Sequence, residues 1–265
     1  MIKLVRTLAA ASVFAWSAAV CAAPSDALPA NPDAVKIAEK LAQKWSLDAP
    51  KQQALELYLR DVMNIVVPHL KRTIDRIQAK GTPVTDDVLY REVISAIEEL
   101  TAKGYPQLPA LYQKPRLRLN QMVLYRVPPA VCKRFYTEGN SALTGSLMME
   151  MEKTLYRDME LALYQDLLNS QKAAIQRAVY PAKFVARPTE EQLAQGQNAV
   201  ARHLAHLLSV MKPEEKRRMV TALSEPEIST DRDGCDAAKL LYDAILGAKG
   251  EAADWFILGF TQDLY

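Results

Sequence analysis

Between Glu99 and Glu138 the chain carries no acidic residue. The same interval holds Lys103, Lys114, Arg116, Arg118, Arg126, Lys133 and Arg134, interleaved with Tyr105, Tyr112, Tyr125, Phe135 and Tyr136. Cations set among aromatics suit an anionic surface, because the rings supply contact area while the charges attract and orient the partner. Lys114, Arg116, Arg118, Tyr125, Arg126, Lys133 and Arg134 are therefore the candidate binding residues. The competing expectation is internal neutralisation by Glu150, Glu152, Asp158, Glu160 and Asp166, which follow directly in the chain.

Other groups are weaker sources of chemistry. His203 and His206 are three residues apart and share a helix face, yet zinc needs further ligands and none is adjacent. Met148, Met149, Met151 and Met159 resemble a thioether cluster, but at helical spacing they fit core packing better. Ser209-Val210-Met211-Lys212 matches S-x-x-K, although Pro213 follows at once and no S-D-N or K-T-G companion is present. Asp231-Arg232-Asp233-Gly234 looks like half a calcium loop. Aligned on the glycine, its final ligand position falls on Leu240, so helix capping explains these acids instead. H-E-x-x-H, G-x-S-x-G and Walker sequences are absent. The sequence thus nominates no metal site, no cofactor and no catalytic residue.

The elements that must position these residues read as helices throughout. A wide apolar stripe runs from Ser141 to Tyr180 through Met148, Met151, Leu155, Met159, Ala162, Leu163 and Leu167. A straight rod of that length would span about 60 Å. A compact domain of this size is only about 45 Å across, which predicts a kink at Asn169-Ser170. Start and stop signals predict further helices from Pro32 to Trp45, and from Pro50 to a stop at Gly81, kinked or split at Pro68. Others run from a Thr85 cap to Gly104 and over Leu117–Arg126, the proline-rich stretch before the latter reading as breaks. Pro129 to Tyr136 follows, then a helix opened by a Thr189/Gln192 capping box that reaches Met211. The last three cover Pro213 to Ser224, Cys235 to Leu246 with Asp233 or Gly234 as cap, and Ala252 to Leu264. The expected fold is all-α, a single-domain bundle of about nine or ten helices around one long central helix.

Lys3 and Arg6, the apolar run Leu8 to Val20 and the small residues Ala22 and Ala23 form a secretory signal peptide over residues 1–22. A polar lead-in covers 23–31 and the helical domain 32–265. Loss of the leader takes Cys21 with it and leaves Cys132 and Cys235, an even pair that predicts a bridge in an oxidising compartment. The leader also removes Lys3 and Arg6, so basic and acidic residues balance at 31 each. That balance argues against a general electrostatic hold on nucleic acid. No later run is apolar enough to span a bilayer.

The sequence therefore leads to a periplasmic or secreted helical binding or adaptor protein of the bacterial envelope. Its expected partner is an envelope protein or an anionic lipid surface. One variant is an inhibitor or immunity-type partner of an exported toxin or enzyme. The other class is an envelope hydrolase with a carboxylate site that leaves no local pattern.

Overall fold

A computed structural model describes residues 32–43, 45–79, 85–138, 145–181 and 187–262. The expected leader and lead-in, Gly81 and the start of the central stretch at Ser141 lie outside the described residues. Within them the chain forms eleven α-helices and no strand. These are α1 Pro32–Gln43, α2 Ala49–Ala79, α3 Asp86–Gly104, α4 Ala110–Leu124, α5 Pro129–Glu138 and α6 Gly145–Asp158. They continue as α7 Leu161–Val179, α8 Glu190–Ser209, α9 Pro213–Ser224, α10 Asp231–Gly247 and α11 Glu251–Gln262. A short 3-10 turn, Tyr105–Gln107, links α3 to α4.

The all-α expectation holds. Several helix starts also follow the sequence signals. Thr85 Oγ1 accepts from Val88 N at 3.3 Å, and Thr189 with Gln192 forms a reciprocal capping box. Pro213 opens α9 in the first turn.

The central stretch differs. It breaks at Met159-Glu160, ten residues before the expected kink, into α6 and α7. No glycine or proline marks this point. The buried Lys51 of α2 reaches it instead: its ammonium donates to the Arg157 carbonyl at 2.5 Å and pairs with Asp48 at 3.1 Å. A cation thus satisfies a carbonyl at the negative end of α6, where the helix leaves carbonyls unpaired. Ser170, expected at the kink, is fully buried in an unbroken α7. Its Oγ donates to the Tyr112 carbonyl and shares a 3.1 Å bond with the Tyr105 hydroxyl. The residue read as a weak point is a tie to the next layer.

Two prolines also fail to break helices. Pro68 lies on the exposed side of α2, while Val62, Met63, Val66 and Leu70 stay buried on either side of it. Pro115 lies inside α4, which starts seven residues before the expected Leu117. The buried Gln113 anchors this first part, donating to the Leu108 carbonyl at 2.6 Å and the Tyr105 carbonyl at 3.3 Å.

The helices share one continuous core. α1, α2 and α3 gather on one side with α7; α5, α8, α9 and α11 surround α10 on the other. α4 joins them, packing against α7, α10 and α11. That double burial explains why Leu117 and Leu119, on opposite sides of α4, are each 1% exposed. It also explains why their alternation imitates a strand.

α10 begins at Asp231, four residues before the expected Cys235, because Thr230 is the cap: its Oγ1 accepts from Asp233 N at 3.1 Å. Gly234 sits inside the helix. A Cβ there would press on the Lys133 side chain at 2.9 Å, so this glycine admits α5. Cys132 of α5 and Cys235 of α10 are buried with their sulfurs 2.13 Å apart, disulfide distance.

Candidate functional site

The structure divides the seven candidate binding residues among five environments. Lys133, only 16% exposed in its side chain, donates to the Ser229 carbonyl at 2.5 Å and the Glu227 carbonyl at 3.2 Å. It ties the α9–α10 connection to α5, one residue from Cys132. Arg134 forms a two-pronged pair with Glu138 on its own helix, at 3.0 and 3.3 Å. That pair raises the guanidinium's pKa and holds the Glu138 carboxyl below the ordinary carboxylate range.

Tyr125 and Arg126 mark the end of α4. The Tyr125 hydroxyl donates to Asp243 of α10 at 2.9 Å, and Gln121 donates to the same carboxylate at 2.5 Å. The Lys239 ammonium lies 5.4 Å from the Tyr125 ring centroid. Partial burial, followed by the bond to Asp243, pushes the Tyr125 pKa up to about 12. Arg126 pairs with Asp158 at the end of α6, 3.3 Å away. Arg116 is half-buried and already partnered.

Lys114 and Arg118 remain. They lie one turn apart on α4 and border a furrow of ≈ 620 Å³ between α4 and α7. Lys114 reaches Asp254 of α11 at 2.6 Å. Arg118 is exposed, donates to Gln121 at 3.4 Å, and has no carboxylate partner among the described residues. The furrow is also lined by Leu111, Tyr112, Pro115 and Leu163, and Leu111 is 71% exposed. A second furrow of ≈ 400 Å³ lies on the other flank of α7, against α2, where Leu57 is exposed. Asp166, Asn169 and Lys172 of α7 belong to both. Lys172 is paired with Asp61 of α2.

Internal neutralisation thus accounts for most of the basic interval, but with different acids from those expected. Of the acids on the central stretch, Asp158 takes part; Asp254, Asp231 and Glu138 supply the other carboxylates. Sequence reasoning missed Lys172, Asn169, Leu111 and Leu57. The exposure of Leu111 is known only from the structure, and Lys172 and Leu57 come from separate helices and leave no shared pattern.

The weaker candidates resolve in physical terms. His203 and His206 have ring centroids 6.3 Å apart, and His203 Nε2 lies against Gly247, where a Cβ would collide with it. Among the described residues no three His, Cys, Asp or Glu side chains gather as a metal site. His69 is outside the described side chains, as are Met148 and Met149; Met159 is core, with Leu155. The Ser209 hydroxyl donates to the His206 carbonyl at 2.7 Å on the exposed end of α8, so it is a helix-end bond and not a poised nucleophile. Asp233 accepts from Arg218 at 3.2 Å in the first turn of α10. Asp48 is held below the ordinary carboxylate range by the Lys51 backbone N–H and ammonium, the wrong direction for a general acid.

The described residues define an all-α multi-helix protein with a mixed apolar and cationic furrow, and none of their helices is long and apolar enough to cross a membrane. No family model, curated protein or solved structure matches the chain.

Proposed function

We propose that this is a non-enzymatic binding or adaptor protein, exported to the bacterial envelope, that holds a partner protein against α4 and the furrow between α4 and α7. The observation that carries the reading is the combination at the furrow's edge. Leu111 is 71% exposed one turn from the half-buried Pro115, and Arg118 is exposed without an acid of its own among the described residues. Unpaired charge beside exposed apolar surface is what a docking partner would cover. A protein fits better than a lipid surface, because Arg126 and Arg134 are each matched by a carboxylate. A membrane would need their charge free. Export rests on the leader residues, and the buried Cys132–Cys235 pair at disulfide distance suits an oxidising compartment.

The test is affinity capture from a solubilised envelope extract. Mature, oxidised protein is run beside a Leu111→Asp/Arg118→Glu variant shown to be folded by circular dichroism. A protein recovered stoichiometrically by the first bait and lost with the second is the expected result. Recovery of acidic lipid alone, or equal recovery by both baits, overturns it.

A further inference from the structure

Resting on that reading, we infer that the furrow's occupant is an amphipathic α-helix of a partner protein, with acidic residues along the edge that meets α4. Three observations lead there. The described residues contain no strand, so there is no sheet edge to which an extended peptide could add. The furrow instead runs between two helices that pack on each other, and its lining is apolar at Leu111, Pro115, Leu163 and Ala173. Such a trough accepts the apolar stripe of a third helix.

The charges then give the occupant a polarity. Lys114 and Arg118 are four residues apart on α4, which places them about 6 Å apart along the axis. Carboxylates at i and i+4 on a helix lying alongside have the same spacing. Arg118 has no acid of its own among the described residues, and Lys114 has only the surface carboxylate of Asp254, with both side chains about two-fifths exposed. On the facing wall Asp166 is exposed, so a basic residue fits that edge of the occupant. The partner helix is therefore acidic toward α4, apolar toward the floor and basic toward Asp166.

The test uses three capped helical peptides of about 18 residues, long enough to hold some helix in water. One has a leucine stripe with glutamates at i and i+4 on one edge and lysine on the other. The second keeps the stripe and carries lysine in place of both glutamates, so that neither edge is acidic whichever way it lies. The third keeps the first peptide's charges and replaces the stripe with serine. Binding is read by fluorescence anisotropy and by amide chemical shifts of isotope-labelled mature protein. The first peptide is expected to bind saturably, about tenfold tighter than the second, since one well-placed charge contact is worth roughly that factor. Its shifts centre on α4 and α7, and Arg118→Glu reverses the preference between the first two peptides.

Equal or inverted preference, shifts centred elsewhere, or no binding by any peptide overturns the inference. Shifts in the same furrow on concentrating the protein alone would identify a second copy as occupant and also overturn it. The two failures are separable. If capture still yields a protein lost with Leu111→Asp/Arg118→Glu while the peptides do not bind, the binding reading stands and the acidic helix falls.

Discussion

α5 and α4 come from the same acid-free interval, yet Lys133 of the one and Arg118 of the other are used in opposite ways. Lys133 is mostly buried and spends its charge on two carbonyls of the α9–α10 connection. Arg118 is exposed, and its one bond among the described residues is to a neutral amide on its own helix. A run of positive charge in a sequence counts cations. It does not count free ones, because an acid that neutralises a cation can arrive from another helix. Asp254 of α11 for Lys114 and Asp158 of α6 for Arg126 are cases of this.

The largest expected effect tests the structural half of the comparison. Cys132→Ala/Cys235→Ala removes a link across a sequence separation of 103 residues. The chain-entropy model values such a closure at about 4.7 kcal/mol. Urea denaturation of the mature protein should show a loss of about 4–5 kcal/mol, and a loss under about 1 kcal/mol would mean that the thiols are not bridged.

Lys133→Met comes next. It keeps the aliphatic stem but removes the ammonium from the Ser229 and Glu227 carbonyls. A loss of about 1–3 kcal/mol is expected for hydrogen bonds to a largely buried charge. Arg118→Ala should stay within about 0.5 kcal/mol of the parent, because its side chain holds nothing else in place. If the two variants were equally destabilised, the division between a structural and a free cation would be wrong.

Part of this division was legible in the sequence. The pairing of Cys132 with Cys235 was expected from the even number that loss of the proposed leader would leave. The Thr85 cap, the Thr189–Gln192 box and Pro213 are local signals, and the structure uses them as read. What was not legible depends on tertiary contact. The break at Met159-Glu160 is stabilised by Lys51, about a hundred residues earlier, with no punctuating residue of its own. Gly234 looks like a helix boundary but serves close packing against Lys133. Gly104 does end α3, but its lack of a side chain matters for another reason: a Cβ would run into the Ala174 carbonyl of α7. The furrow is the extreme case, since Leu111, Arg118 and Lys172 are neighbours only once α4 lies against α7.

The smallest effect concerns Tyr125, which stands between the two halves at the end of α4. Burial and its bond to Asp243 move its pKa from an ordinary 10.0 up to about 12. Below pH 10 the hydroxyl is protonated in both folded and unfolded chains and adds no pH dependence. As pH rises from 10 toward about 12, the unfolded chain loses this proton first, so stability falls through that window. Tyr125→Phe removes the group, and its stability should decline less steeply over that window than that of the parent. The difference between the two proteins is the quantity to read, because the buried Tyr58 and Tyr164, also pushed upward by burial, contribute to the slope in both. Since Tyr125 is 56% exposed, solvent screens its interactions and the difference should be small. Its sign still separates two uses of the residue. A shallower decline in the variant means Tyr125 fastens α4 to Asp243 and belongs with Lys133. Parallel curves would mean that the hydroxyl is free, and would place Tyr125 with Arg118 on the surface available to a partner.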